Sequence, residues 1–368
     1  MAMDMDTIIF FPRNISSVSG RNKIAAFDLD FTLIHPKSNK KFPLDQNDWT
    51  WHFECVPRKL KELYNNGYEI IIFSNQNGIE SGKQNKEDLL DKIKDMSTIL
   101  QIPLKAYLST SKNHFRKPSP KMWQLHIRNR EIDYKNSFYV GDAAGRIKAW
   151  DGNKKTKKDF SCSDRKFAEN CGLKFYTERE FFLEEKETDN WDWNSFDPST
   201  YFYKKVKTIH VEGDVIIMVG CPASGKSSFA KTLSTSQNYK IINRDTLKTM
   251  KKCEKEMIKA LQNNHKVIID NTNPNKESRQ LWINIAKKYN KIVNCCVMNV
   301  DKDLSKHLNI YREKQSNGKI KRIPDIVYNI FFKKYEEPTD EEFNKIYKID
   351  FMPKFNTKED QLLFEEFT

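Results

Sequence analysis

The apolar run from Asp214 to Val219 empties directly into "GCPASGKSS", and that junction restricts the fold more than any other stretch of the chain. A β-branched strand that stops at Gly220 and resumes as a helix after Gly225, Lys226 and Ser227 fits GxxxxGK[ST] in the strand-loop-helix setting that gives the motif its meaning. Such a loop cradles phosphates. Its backbone N–H groups hold the nucleotide's β-phosphate, Lys226 bridges β and γ oxygens, Ser227 ligates Mg²⁺, and Ser228 extends the nucleotide contact. ATP is the expected ligand. Further along, "IINRDTL" presents Arg244 and Asp245 after a short apolar strand, and "VIIDNTNP" presents Asp270 after another. A kinase acting on a hydroxyl needs a carboxylate to accept the proton, which makes Asp245 the candidate base. Asp270 is expected near the metal or as the residue that keeps the nucleotide site in register. Arg312, late in a predicted helix, is either a lid cation over the transferred phosphate or a solvated helix charge.

The first half carries a different chemistry at the same kind of junction. Lys23 to Leu29 and Tyr68 to Phe73 read as buried parallel strands, with a crossover helix over Val56 to Asn66 that stops at Gly67. Ser137 to Val140 reads as a third strand. In "AAFDLDFTL" Asp28 and Asp30 lie two residues apart on extended backbone, so both side chains project toward one site. Paired carboxylates repel unless a cation neutralises them, and oxygen ligands suit Mg²⁺, so Asp28 and Asp30 are expected at a metal. Asp28 is the candidate nucleophile, through an aspartyl-phosphate, and Asp30 the general acid and base. Ser74 is placed to bond a phosphoryl oxygen, Lys117 to offset the intermediate's charge, and Asp142 to complete the metal shell. This ordered set resembles the haloacid dehalogenase superfamily of phosphotransferases. Phe31 stands where many of its members have glycine. Asp164 is read either as a residue near the metal or as a structural cap.

The chain has 368 residues, which suits two domains. Between Glu184 and Val211 it turns charged and then aromatic with no sustained period, so domains are expected at 1–195 and 205–368. Both are read as α/β. No run approaches the roughly 20 apolar residues of a membrane span; Ile8 to Phe11 is a short apolar cluster ending at Pro12. Seven scattered cysteines without a CxxC pair indicate neither a disulfide framework nor a zinc site, Cys162 and Cys171 included. A net charge of +13 favours a polyanionic partner over an acidic metabolite, unless it is only a lysine-rich solvated surface.

A phosphatase and a kinase working on one hydroxyl would cycle ATP uselessly, whereas a strand break offers two different ends. Ligation needs a 3′-hydroxyl and a 5′-phosphate, and the positive charge suits a polymer with such ends. At this point "KFPLDQNDW", "VPRKLKELYNNGYEIIIFSNQNGI", "RKPSPKMW", "VGDAAGR", "KKDFSCSDRKFA", "VGCPASGKSS", "NRDTL", "IDNTNP" and "YEEPT" together resemble the polynucleotide kinase 3′-phosphatase family of the eukaryotic type. That resemblance implies a haloacid dehalogenase-like Rossmannoid phosphatase followed by a P-loop kinase, with Mg²⁺ and ATP as cofactors. By it Asp28 is the phosphatase nucleophile and Asp30 its acid and base. Ser74, Arg116 and Lys117 are phosphate contacts, Asn75 a substrate contact and Asp142 a Mg²⁺ ligand. Asp245 is the kinase base, with Arg244, Asp270 and Thr272 around the acceptor. It implies nucleic acid with 3′-phosphate or 5′-hydroxyl ends as substrate, DNA ahead of RNA, in a monomer of the nucleus without membrane attachment, with a cytoplasmic or organellar pool left open. Animal members begin with a forkhead-associated domain, which the roughly 20 residues ahead of Lys23 are too few to form. The family often has an extra arginine where this chain has Ile310.

Two alternatives stay open: a fusion of small-molecule phosphatase and kinase, and a binding scaffold with decayed sites. The basic runs "NKKTKKD" and "NGKIKRIP" are read as solvated loops, or else as phosphate contacts or import signals. Trp191, Trp193, Phe196, Tyr201, Phe202 and Tyr203 are read as a packed linker, or else as a base-stacking surface.

Overall fold

The computed structural model describes residues 7–12, 20–38, 40, 43–186, 188–201 and 209–368. Phe202 and Tyr203 lie outside them. The chain divides into two compact units, Met1–Asp197 with Glu366–Thr368, and Pro198–Glu365.

In the first unit the strands and helices follow in the order β1 (Ile8–Phe11), β2 (Lys23–Phe27), β3 (Ile34–His35), β4 (Thr50–Trp51), α1 (Val56–Asn65), β5 (Tyr68–Asn75), α2 (Lys86–Leu100), β6 (Lys105–Ser109), α3 (Lys121–His126), β7 (Phe138–Gly141), α4 (Ser163–Cys171), β8 (Lys174–Thr177) and α5 (Glu178–Leu183). Six strands form one sheet in the order β1-β6-β5-β2-β7-β8. All neighbours are parallel except β1, which runs antiparallel to β6 with Ile8 opposite Ser109. The central strands are buried on both faces, which is why they read as continuous apolar runs rather than alternating ones. Helix α1 turns Val56 and Leu60 into the core and ends at Gly67, whose φ of 85° a side chain would resist.

The second unit runs β9 (Val215–Val219), α6 (Lys226–Gln237), β10 (Lys240–Ile242), α7 (Arg244–Leu247), α8 (Met250–Gln262), β11 (Val267–Ile269), α9 (Lys276–Lys288), β12 (Val293–Asn299), α10 (Lys302–Gln315), α11 (Asp325–Lys334), β13 (Lys345–Asp350) and α12 (Lys358–Glu365). Its sheet is wholly parallel, in the order β10-β11-β9-β12-β13. Asp28, Ser74 and Asp142 in one sheet, and Gly220, Arg244 and Asp270 in the other, fall at or just past the carboxyl ends of strands, where open α/β sheets bind ligands.

Ile8 to Phe11 is thus an edge strand, its partner about a hundred residues away in sequence. Trp191 lies under the Arg165 guanidinium at 3.9 Å and Trp193 against Phe367 at 4.2 Å, both in the first unit, while Tyr201 packs on Phe351 and Phe364 in the second. Among the described residues all seven cysteines are free, and no helix is long and apolar enough to cross a membrane.

Candidate active sites

Three strand ends of the first unit meet around Asp28. The Asp28 N–H donates to the Val140 carbonyl at 2.9 Å, holding the end of β2 beside β7. The Lys117 ammonium, 3% exposed, donates to Asp28 Oδ1 at 2.7 Å, Asp164 Oδ1 at 2.7 Å and the Tyr139 hydroxyl at 2.8 Å, so its three protons are all used. Burial works against that charge, but Asp164 and Asp28 more than compensate and raise its pKa above the usual lysine value. The amide of Asn75 clamps the Lys117 backbone at both ends, accepting from its N–H at 2.8 Å and donating to its carbonyl at 3.2 Å.

Oxygens of Asp28, Asp142 and Asp164 lie within 4.8 Å of one another. Burial, then the charges of Asp164 and Asp28, push the Asp142 carboxyl well above its ordinary range; burial likewise lifts Asp164 to about 6 despite Lys117. Three carboxylates against one lysine leave negative charge in a dry pocket, which fits a hard divalent cation with oxygen ligands. Asp30 stands outside this cluster. Its Oδ2 accepts from Gln76 Nε2 at 2.7 Å, and the same amide donates to Ser74 Oγ at 2.9 Å. Burial, then Asp28, hold the Asp30 carboxyl above the ordinary range, so it keeps a proton more readily than a surface aspartate.

The surrounding packing explains strings that carry no general motif. A Cβ on Gly141 would sit 2.4 Å from Asp164 Oδ2, so only glycine lets α4 bring that carboxylate against β7. Arg146 donates to the Asp142 carbonyl at 3.0 Å and pairs with Asp159 at 2.9 Å and Glu178 at 3.0 Å, tying "VGDAAGR" to "KKDF". Arg116 keeps a buried Nη1 without a hydrogen-bond partner, and burial lowers its pKa against the pull of Asp28. A half-buried guanidinium with a spare buried donor suits an incoming phosphate.

In the second unit β9 ends just before Gly220, and the loop through Ala223 (φ 59°) and Gly225 (φ 88°) leads into α6, with Gly225 at its N-cap. Lys226 lies back over this loop, donating to the Gly220 carbonyl at 2.9 Å and the Cys221 carbonyl at 2.6 Å, and burial lowers its pKa to about 8. Ser227 and Ser228 are exposed on the first turn of α6. The Gly220 N–H donates to the Thr272 carbonyl at 3.2 Å, which brings "DNTNP" against the loop. Asn243 donates to Asp270 Oδ2 at 2.6 Å and caps α7 through the N–H groups of Asp245 and Thr246, leaving Asp245 and Arg244 exposed at its start. Asp270 is 5% exposed, and its Oδ1 has no hydrogen-bond partner. Arg312 also keeps a buried, unpartnered Nε, and its charge contributes to lowering the Lys226 pKa.

Sequence reasoning therefore reached most of the residues that meet in each unit. It placed Asp30 at the cation and left Asp164 open, whereas the carboxylate cluster contains Asp164 and not Asp30. It took Asn75 as a substrate contact, and the structure shows its amide holding the Lys117 backbone through one donated and one accepted hydrogen bond. Gln76 and Tyr139 were missed, because only the fold brings them to Asp30 and Lys117. Asn243 had a local signal: an asparagine before a short helix with acid in its first turn.

Residues 23–182 match the family model described as polynucleotide kinase 3 phosphatase, and residues 214–344 match that of chromatin associated protein KTI12. Over 340 residues the chain is 38% identical to the bifunctional polynucleotide phosphatase/kinase of Schizosaccharomyces pombe, covering 89% of this chain and 80% of that protein. A putative protein of the same description in Acanthamoeba polyphaga mimivirus is 34% identical over 363 residues, covering 89% and 85%. The polynucleotide 3′-phosphatase ZDP of Arabidopsis thaliana is 32% identical over 196 residues, 48% of this chain and 26% of that one.

Proposed function

The chain belongs to the bifunctional polynucleotide phosphatase/kinase family, and on that premise we propose that its first unit removes 3′-phosphates from nucleic-acid strands while its second phosphorylates 5′-hydroxyls from ATP. Asp28 attacks phosphorus in line, and Asp30 gives its proton to the departing 3′-oxygen, forming an aspartyl-phosphate. Asp30, now ionised, takes a proton from the water that attacks this intermediate, and phosphate leaves with Asp28 restored. The observation that carries the reading is the geometry around Asp28: its carboxylate meets the Lys117 ammonium at 2.7 Å and lies within 4.8 Å of the Asp142 and Asp164 oxygens, while burial and the Asp28 charge raise the pKa of Asp30 two residues on. Asp28, Asp142 and Asp164 would hold Mg²⁺, which supplies positive charge to the crowded carboxylates and to the phosphoryl oxygens. Arg116 and Ser74 would take the remaining phosphoryl oxygens.

In the second unit Asp245 would accept the proton of the 5′-hydroxyl as its oxygen attacks the γ-phosphorus, with Arg244 and Thr272 beside the acceptor. Lys226 would leave its loop carbonyls for the β and γ oxygens, Ser227 would hold Mg²⁺, and Arg312 would close over the transferred group. Asp270, fixed by Asn243, keeps α7 in register with the phosphate loop. Restoring both ends of a break makes it ligatable, which supports a role in strand-break repair; DNA ahead of RNA as substrate, and work in the nucleus, rest on the family resemblance alone.

The test is a nicked duplex with a 3′-phosphate and a 5′-hydroxyl, each terminus labelled, incubated with Mg²⁺ with and without ATP. Phosphate release is expected without nucleotide, and 5′ labelling only with ATP. Asp28→Asn should abolish release and spare phosphorylation, and Lys226→Ala should do the reverse. Either variant leaving both activities intact would overturn the assignment.

A further inference from the structure

We propose that Phe31 is a stacking platform for the terminal base of the 3′-phosphorylated strand, a specificity element that rests on the phosphatase reading above. Phe31 directly follows Asp30 and is held at φ 58°, a left-handed conformation that glycine adopts freely and a phenylalanine resists. The turn around it is closed on both sides. Its N–H donates to the Ile34 carbonyl at 2.7 Å, and the Leu33 and Ile34 N–H groups both reach the Leu29 carbonyl, so the backbone cannot relax to a cheaper conformation without losing these bonds.

A bulky residue in a costly conformation is expected to gain burial in return, and Phe31 does not. Thr32 and Leu33 are fully buried and Ile34 nearly so, while Phe31 remains 42% exposed. Its ring meets His52 edge-on at 6.5 Å. His52 in turn touches the rings of His35 at 5.4 Å and Phe53 at 4.3 Å, so Phe31 joins an aromatic cluster. Burial and the neighbouring His35 depress His52 to about 4, so the His52 ring is uncharged at neutral pH. An exposed aromatic face one residue from the carboxylate that protonates a 3′-oxygen lies within reach of the sugar and base carrying that oxygen. Every base offers a π-face, so such a platform adds affinity without demanding a sequence.

The experiment compares two single-stranded oligodeoxynucleotides bearing a 3′-phosphate, one ending in an ordinary nucleotide and one in an abasic tetrahydrofuran residue. The full-length protein should favour the base-bearing end in kcat/KM by about tenfold, the equivalent of ~1.4 kcal/mol of stacking. Phe31→Gly and Phe31→Ala should cut that preference below about twofold, whereas Phe31→Trp should keep it. The glycine variant suits the left-handed backbone, so its melting temperature should not fall and the comparison survives any fragility of the alanine variant. A wild-type protein that treats both ends alike, or a Phe31→Gly variant that retains the preference, overturns the proposal. Release of phosphate from neither end would instead overturn the 3′-phosphatase reading itself.

Discussion

Single atoms decide what the first site can hold. Gly141 ends β7 where a methyl group would occupy the place of the Asp164 carboxylate, so Gly141→Ala must push away either α4 or the acid. Because Asp164 shares Lys117 with Asp28, its displacement would disturb both the cation pocket and the nucleophile's partner. A drop in 3′-phosphate release of about 10- to 100-fold is expected, the scale typical of groups that orient metal ligands. Phosphorylation of 5′-hydroxyls should be unchanged, which separates a local effect from unfolding. A Gly141→Ala protein with full phosphatase activity would show that Asp164 is dispensable. Asp164 was ambiguous in the sequence for a physical reason: an acid in the first turn of a helix serves equally as a favourable charge at the positive helix end. Only its 2.7 Å contact with Lys117, 47 positions away, distinguishes the roles.

Elements in the first unit are joined by a buried charge cluster as well as by apolar packing. Glu69 on β5 meets Lys105 of β6 at 2.7 Å, Arg130 after α3 at 2.6 Å and His126 of α3 at 3.4 Å. Burial alone would raise its pKa, but hydrogen bonds from His126, Lys105 and Arg130, with the charge of His126, bring it down to about 2. A carboxylate depressed in the folded state stabilises above its unfolded pKa, near 4.5, and loses that contribution as pH falls toward 2. Glu69→Gln strands two cations beside an inner strand of the sheet and should destabilise the unit by about 3 kcal/mol at neutral pH. In urea titrations the gap between wild type and variant should narrow steadily from about pH 4.5 to 2; a gap that stays constant with pH would remove Glu69 from that role. Elements of this kind were legible to different degrees. Val267–Ile269 and the strands around it announce themselves as short β-branched runs with polar ends, because parallel strands are apolar on both faces. Ile8–Phe11 did not announce itself, since four apolar residues before a proline gain meaning only from pairing with Lys105–Ser109. Gln76 likewise sits in a loop with no periodicity, and its two hydrogen bonds become visible only once β2 and β5 lie side by side.

At the scale of the whole molecule, each of the two units brings together the residues proposed for one phosphoryl transfer, and no residue proposed for one is proposed for the other. What they share is a chain with a net charge of +13 and a polyanionic substrate. Charge of that sign acts on association rather than on chemistry, through release of counterions from each phosphate it neutralises. Salt should therefore separate binding from catalysis. For a 3′-phosphorylated single strand, log(kcat/KM) is expected to fall linearly with log salt, by ~0.7 for each phosphate neutralised, and the kinase should show the same trend with a 5′-hydroxyl strand. Shortening the strand to a single nucleotide 3′-phosphate should flatten the slope while kcat changes little, because the buried contacts among Lys117, Asp28 and Asp164 are poorly screened by salt. Equal slopes for the long strand and the nucleotide would mean that the positive surface does not hold the polymer. The fusion of two small-molecule enzymes would then be the better account of the two sites.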